Sequence, residues 1–581
     1  MTSRTRAVAL GACILLPALS APGASYDALS SKAHQAVKHA AKAGKKLIPP
    51  EPPERPYEPT AADRKRGVVM FAPPMAQPFA DRPPAAGEVR DTIQLRAARG
   101  EMECCLVAVH ALKDQKSLDV SLPGPMPSGV RLEVLPVILA PMAERRSDTY
   151  RVVGLWLSQP GRVDVAAGHS RAWLVRVHVA ASTPPGSYVI RRALVGRDRR
   201  ATGAALTIRV RVLPFELADP WRRKYTFGAF CGGANFNEKQ YRQMKAHGIE
   251  AILWFWGHYG LDVRNEGGKL RMGFADLDAT VGRFQKAGLR GPIVLALGND
   301  ACGHFERAVC RAFDLPMQPQ VARRRKVVQL AVLNDARIEK LLVEALRQLF
   351  DHARARRWPE IAILPYDEPT ERLMDEHKRM VQLFRRHFPK VRLYGVTMNR
   401  LNWAKMVLDT DILVANGDFA RIRALGAEHK KAVWFYGGVA TAQGYAACRW
   451  RYGLRTYAYA PDGMWFWCYN FHPGDPWNDF DSHTPDSAWV ICWPPVTPGE
   501  PSVGTLAYEA LREGVDDVRY AMTLEALLAK ARPSPAAQAV RAAYGKWRKG
   551  LQGARPEPAQ IPRYRGQLIQ WIESIRSTGQ E

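Results

Sequence analysis

Ile361-Ala-Ile-Leu-Pro-Tyr-Asp-Glu-Pro369 is a short apolar run that stops abruptly in two carboxylates and a proline. Its length suits a buried strand rather than a helix. Seven other runs of this kind follow Trp221, giving eight in all: 225–230, 251–256, 292–297, 361–366, 391–396, 411–415, 433–436 and 464–469. Helical stretches or long loops separate them. Gln240 to His247 reads as a helix ended by Gly248, and Ile338, Leu341, Leu342, Ala345 and Leu349 repeat at helical spacing. Eight strands alternating with helices predict a parallel (β/α)8 TIM barrel over residues 221–500. The sixth and seventh units have short helices, so an open α/β sheet is the competing arrangement.

Upstream, over residues 67–216, the period falls to two. Trp173, Val175, Val177 and Val179 alternate with Leu174, Arg176 and His178, and Leu206, Ile208, Val210 and Val212 alternate with Thr207, Arg209 and Arg211. With turn signals such as Thr183-Pro-Pro-Gly186 between runs, this predicts an antiparallel β-sandwich. Residues 213–220 read as its exit linker. Residues 26–66 form a Pro/Lys-rich leader or linker, alanine- and lysine-rich at first and proline-rich over 48–59, and are placed outside the folded core. Residues 1–25 read as a signal peptide: Arg4 and Arg6, an apolar run over 7–19, then small residues. That run is too short to span a membrane, and too short before Cys13 for a lipoprotein box. Residues 501–581 form a C-terminal helical extension with Leu511, Val515, Val518 and Met522 on one face. The fold class expected is multidomain α/β plus β.

Of the 581 residues, 83 are Lys or Arg and 56 Asp or Glu, a net charge of +27. Such a surplus favours anionic partners. The arginines are dispersed, however, the densest cluster being Arg323-Arg-Arg-Lys326, and no nucleic-acid motif accompanies them. A solvated basic surface is expected; the alternative is a functional patch for an anionic partner such as a membrane surface or an acidic glycan, with no nucleic acid expected. No segment after the leader has 18 continuous apolar residues, so no transmembrane segment is expected, and the leader points to a secreted or periplasmic protein.

Cys104, Cys105, Cys231, Cys302, Cys310, Cys448, Cys468 and Cys492 are scattered without a C-x-x-C pair. Cys302 and Cys310 could close a loop, and buried free thiols are the alternative. Asp475, Asn478, Asp479 and Asp481 lack the spacing of a calcium loop, and Cys302, His304 and Cys310 lack a zinc framework. Phosphate-binding, dinucleotide and Gly-x-Ser-x-Gly motifs are also missing, so neither metal nor cofactor is expected.

Barrel chemistry gathers where strands end and loops begin, which singles out Asp367 and Glu368. Buried carboxylates need a role or a partner. Neighbours in a regular strand point to opposite faces, so the two share a site only if the strand end is irregular. Pro369 biases Glu368 towards an extended backbone. The alternative is a pair that caps the next helix.

Tyr366-Asp-Glu-Pro369 resembles the catalytic strand of glycoside hydrolase family 123 and of the related domain-of-unknown-function family 4091. Trp465-Phe-Trp-Cys-Tyr-Asn470 with Asp475-Pro-Trp-Asn-Asp479 resembles the family's eighth strand and loop. Leu511-Arg-Glu-Gly-Val-Asp-Asp517 with Tyr520 resembles its closing helix, and Trp173-Leu-Val-Arg-Val-His-Val179 with Pro185-Gly-Ser-Tyr188 its N-terminal sandwich. The resemblance spans roughly residues 67–530. It implies that Glu368 is the general acid and Asp367 orients a 2-acetamido group whose carbonyl oxygen attacks the anomeric carbon. Such substrate assistance needs no protein nucleophile, departing from the usual two-carboxylate scheme. The implied substrate is a β-linked N-acetylhexosamine, with N-acetylgalactosamine favoured, cleaved with retention.

Tyr366, Tyr436, Trp467 and Asn470 are the expected substrate-binding residues. Tyr436 could bond the acetamido oxygen or simply fill the core, and Trp467 and Asn470 could supply a stacking wall and a hydroxyl ligand. Trp254, Trp256 and Trp403 are further candidates, and for the tryptophans as a set ordinary barrel packing is the competing reading. Two other readings compete: a same-fold glycosidase acting on sugars without an acetamido group, and a non-catalytic envelope glycan-binding protein.

Overall fold

Ser25 caps helix α1 (Tyr26–Lys42), its hydroxyl accepting the Ala28 amide at 3.3 Å. Leu29, Ala33, Ala36 and Ala40 recur along one face of this helix and are all buried. Leu29 and Ala33 share a cluster with Ile138, Met142, Leu155 and Trp156 of the sheet beneath. Strand β1 (Lys46–Leu47) then pairs in parallel with Thr149 and Tyr150, and Thr60 and Asp63 form a capping box on α2 (Ala61–Arg66). The expectation that 26–66 lies outside the folded core is therefore corrected. A stripe of alanines is enough to seat a helix on a sheet while its lysines stay in water.

The computed structural model describes residues 24–578 apart from 122–125, 144–146, 197–200, 232–235, 257–260, 300–302, 322–326, 332–334, 398–399, 439–443, 473 and 481–488. The leader peptide, the basic run at 323–326, Cys302 and Asp481 thus lie wholly or largely outside the described residues.

Strands β2 (Val68–Phe71), β3 (Thr92–Arg99), β4 (Met102–Ala111), β5 (Gln115–Ser121), β6 (Val130–Ala143), β7 (Thr149–Leu157), β8 (Val163–Val165), β9 (Ser170–Val179), β10 (Gly186–Val195) and β11 (Ala201–Glu216) follow. They build two sheets, ordered β1-β7-β6-β9-β4-β2 and β3-β11-β10-β5-β8. The period-two residues meet as their alternation demands: Trp173, Val175, Val177 and Val179 of β9 share one buried cluster with Leu206, Ile208, Val210 and Val212 of β11. Pairing is not antiparallel throughout, since β1 with β7 and β3 with β11 run parallel. These partners lie far apart in sequence, so no hairpin imposes an antiparallel sense on them.

All eight apolar runs beyond Trp221 are strands. In chain order come β12 (Thr226–Cys231), α3 (Glu238–Ala246), β13 (Ala251–Trp254), the hairpin β14 (Asp262–Glu266) and β15 (Lys269–Gly273), α4 (Ala275–Lys286), β16 (Ile293–Ala296) and α5 (His304–Ala312). A second hairpin, β17 (Met317–Val321) and β18 (Val327–Ala331), precedes α6 (Ala336–Ala355), β19 (Ile361–Leu364) and α7 (Met374–His387). Then follow β20 (Tyr394–Thr397), α8 (Arg400–Asp409), β21 (Ile412–Ala415), α9 (Phe419–Glu428), β22 (Ala432–Gly437), α10 (Gly444–Tyr452), α11 (Leu454–Tyr457) and β23 (Gly463–Phe466).

The parallel sheet they form runs β19-β16-β13-β12-β23-β22-β21-β20. Two isolated parallel bridges, Ile363 with Leu393 and Asp367 with Val396, join its ends. The sheet is a nearly closed eight-stranded parallel barrel, which disposes of the open-sheet alternative. Its lumen holds Phe230, Leu253, Val294, Ala362, Leu364, Val396, Val414, Trp434, Tyr436 and Trp465. Gly228 makes room there: a Cβ at this position would lie 2.3 Å from the Trp465 ring.

The last pair, β24 (Cys492–Trp493) and β25 (Val503–Gly504), leads into α12 (Leu506–Lys530), α13 (Pro535–Leu551) and α14 (Ile561–Thr578). Helix α12 is buried on nearly every face and carries the Leu511–Asp517 motif. Its acids meet cations from three directions: Arg176 of β9 reaches Glu509 at 2.5 Å, Arg449 of α10 reaches Asp517 at 2.7 Å, and Arg565 of α14 reaches Asp517 at 2.6 Å and Glu513 at 2.8 Å. The polar positions of β9 thus face a helix, and they bolt the sheets to the barrel.

Candidate active site

Strand β19 ends at Leu364, and the four residues beyond it are irregular. This irregularity lets both carboxylates approach one place. The Asp367 amide donates to the Gly298 carbonyl beyond β16, and the Glu368 amide donates to the Val396 carbonyl of β20, each at 3.1 Å. The pair therefore sits in the barrel's last seam, tied to the strands on both sides. Both side chains are half-buried.

Glu368 adopts φ +47°, which corrects the extended backbone expected before Pro369. A left-handed backbone at a non-glycine residue costs about 1–2 kcal/mol. It persists because the amide bond to Val396 and the side-chain bond from Tyr436 both hold it.

Tyr436, at the end of β22, donates its hydroxyl to Glu368 Oε1. Burial pushes the phenol well above its ordinary range, and the nearby Glu368 and Asp367 carboxylates push it further, so it remains a donor. The sequence reading left that hydroxyl between an acetamido oxygen and a core position; here it is donated to the Glu368 carboxylate.

Trp467 lies just beyond β23, half-buried, with ring-centre distances of 5.6 Å to Phe230, 6.4 Å to Phe255 and 5.7 Å to Phe471. Phe230 also packs against Tyr436 at 5.6 Å. An aromatic wall thus stands beside the acid pair. Asn470, three residues on, is half-buried, and its Oδ1 has no hydrogen-bond partner among the described residues.

Tyr366 is placed differently. Its ring is 2% exposed and belongs to the cluster between barrel and helices, with its hydroxyl donated to Glu306 of α5 at 2.9 Å and its edge towards His377 of α7. That position backs the acid pair rather than facing a ligand. Trp254 and Trp256 are likewise buried in the helix-side cluster, and the Trp403 side chain lies outside the described residues. Phe230, Phe255 and Glu306 are the residues of this neighbourhood that sequence reasoning passed over. Only the strand-end position of Phe230 signalled any of them.

The remaining candidates have structural partners. Asp475 and Asn478 accept the Trp477 and Phe480 amides at 3.0 and 3.1 Å, and Asp479 accepts the Ala143 amide at 2.9 Å. Among the described residues, no group of three or more His, Cys, Asp or Glu side chains is arranged to hold a metal ion. Seven of the eight scattered cysteines are described, and each is a buried free thiol.

A barrel with an acid pair at the end of its fourth strand is an arrangement suited to glycosidic bond cleavage. Over residues 261–524 the sequence matches the model of the glycoside hydrolase 123 catalytic domain. The chain carries a glycoside hydrolase 123 catalytic domain. It is accordingly a glycoside hydrolase, and its substrate is a glycan.

Among solved structures, a family 123 glycoside hydrolase from Clostridium perfringens, studied for glycolipid glycan hydrolysis, superposes with a TM-score of 0.66 at 10% identity. The match covers 88% of this chain and 100% of that one, and it shows a shared fold. A family 39 glycoside hydrolase from Bacteroides cellulosilyticus gives a TM-score of 0.35 at 13% identity over 68% of this chain and 79% of that one, too slight a likeness to bear on the fold. No curated protein matches the sequence at a significant level. Among the described residues, no helix is long and apolar enough to cross a membrane.

Proposed function

We propose that this glycoside hydrolase cleaves β-linked N-acetylhexosamine, N-acetylgalactosamine in preference, by substrate-assisted catalysis with retention. The observation that carries the reading is the placement of Asp367 and Glu368 on one irregular strand end, with the Tyr436 donor on Glu368. Two adjacent carboxylates cannot flank a sugar from opposite faces as an acid and a nucleophile or base do. They can serve two atoms on one side of it.

In this scheme Glu368 protonates the glycosidic oxygen as the carbonyl oxygen of the substrate's own 2-acetamido group attacks the anomeric carbon. The leaving alcohol departs, and an oxazolinium ion remains. Asp367 holds the acetamido N–H and balances the positive charge. Glu368, now a carboxylate, takes a proton from the water that opens the ring, and the original anomer is restored. Tyr436 keeps Glu368 aimed and can turn to the acetamido oxygen once substrate arrives. Trp467, with Phe230 and Phe255 behind it, offers an apolar face to the sugar ring, and Asn470 offers an amide to a hydroxyl.

The reading includes a setting. The charged, apolar and small-residue order of the first 25 residues supports export, the two N-terminal sheets around one core are read as a β-sandwich, and the +27 charge suits an anionic glycan or surface. The test is to follow hydrolysis of an aryl β-N-acetylgalactosaminide by proton NMR and to add a thiazoline mimic of the oxazolinium ion. Initial release of the β-anomer with competitive inhibition supports the scheme. Initial α-anomer, or indifference to the thiazoline, overturns it.

A further inference from the structure

Close to the acid pair stands a buried acid that the chemistry above does not use, Glu306. It stands at the third position of α5, 1% exposed, and its Oε1 accepts the Tyr366 hydroxyl at 2.9 Å. Burial pushes its carboxyl up to about 7. The space is shaped for this contact: a Cβ on Gly303 would lie 2.3 Å from Glu306 Oε2 and 2.7 Å from the Tyr366 hydroxyl oxygen.

Tyr366 immediately precedes the acid pair, and the backbone makes the same connection. Gly298 accepts the Asp367 amide at 3.1 Å and bridges to Gly303, while the Phe305 amide donates to Leu297 at 3.0 Å. The first turn of α5, the end of β16 and the Asp367 turn are therefore one hydrogen-bonded unit. A polar group buried this deeply lowers stability unless it is bonded, and an apolar residue could have filled the same space. The bond it makes is to Tyr366, the residue immediately before the Asp367–Glu368 turn.

We propose that Glu306 is a positioning residue for the acid pair: through Tyr366 it holds the left-handed turn that carries Glu368 into the barrel mouth. This rests on Asp367 and Glu368 being the catalytic pair. Glu306 touches no substrate and moves no proton in the reaction. It sets where Glu368 points, and misplacing a catalytic group by about 1 Å lowers turnover by roughly 100-fold.

The test compares wild type with Glu306→Ala, Glu306→Gln and Tyr366→Phe. Hydrogen–deuterium exchange over the peptide containing residues 365–369 reads the turn without any substrate. The Asp367 and Glu368 amides should exchange faster in Glu306→Ala and in Tyr366→Phe, and at the wild-type rate in Glu306→Gln, whose amide oxygen still accepts the tyrosine hydroxyl. With an aryl β-N-acetylgalactosaminide, kcat should fall by roughly 10- to 100-fold in the first two variants with KM little changed, and recover in the glutamine variant. Should Glu306→Ala fail to melt cooperatively, Tyr366→Phe, which removes a single oxygen, decides the matter. Unchanged exchange and kcat in Tyr366→Phe, or a glutamine variant as impaired as the alanine one, would overturn the proposal. A wild type inert on every aryl glycoside would sink the catalytic reading instead, and the exchange measurement would still decide whether Glu306 braces the turn.

Discussion

Glu368 combines three properties that seldom coincide: a carboxylate, a left-handed backbone at φ +47° and a proline next in sequence. Each works against the others, and such a conformation persists where the surroundings over-determine it. Tyr436 is one of those determinants. Its removal should leave the fold intact, because the hydroxyl contributes a single hydrogen bond, but should loosen the aim of the acid. Tyr436→Phe is expected to lower kcat by about 10- to 100-fold while changing stability by less than about 2 kcal/mol, as steady-state kinetics and denaturant titration would show. At this scale the carboxylates were legible because two charges directly after an apolar strand need a reason to be there. Glu306, Phe230 and Phe255 were not legible as site neighbours. They come from three separate segments, and only closure of the barrel brings them beside Asp367 and Glu368.

Among the elements, strands were easier to read than partners. All eight barrel strands begin within three residues of the expected positions, because parallel strands buried on both faces are short continuous apolar runs. Helix α12 shows where that reading stops. Leu511, Val515, Val518 and Met522 marked one apolar face, yet Glu509, Arg512, Glu513, Asp516 and Asp517 are also buried. The charges find mates on β9, α10 and α14, segments far away in sequence, and sequence periodicity carries no record of such pairing. Arg565 is the hinge of this network, touching Glu103, Glu513 and Asp517 at once. Arg565→Met keeps much of the volume and removes the charge, leaving three buried carboxylates short of a cation. A loss of about 3–5 kcal/mol is expected, read as a lower denaturant midpoint with α14 released first in limited proteolysis.

For the whole molecule, the sheets, the barrel and the leader helix are joined by cores and not merely by linkers. Helix α1 covers Ile138, Met142, Leu155 and Trp156, so the segment that composition marks as a solvated spacer closes one face of the sheet. Alanines contribute little to an apolar average, and the proline-rich stretch after them looks like a tether, which is why the sequence hid this contact. Leu29→Ala should therefore destabilise the protein by about 2–5 kcal/mol, a loss that a free leader would not show in thermal unfolding. The same build lets the barrel present its strand ends at one mouth with the acid pair in its final seam, tied to strands on both sides.

That placement makes a claim about chemistry that one pair of assays addresses directly: hydrolysis of aryl β-N-acetylgalactosaminide and β-N-acetylglucosaminide by wild type and by Glu368→Gln, with folding of both checked by thermal melts. Turnover by the wild type, faster on the galactosaminide, and its loss by roughly 100-fold or more in a folded Glu368→Gln is the result expected of a residue that, even where an aryl leaving group needs little protonation, must also serve as the base for water. Wild-type turnover that survives in Glu368→Gln, or a pure, folded wild type inert on both glycosides, would contradict the account.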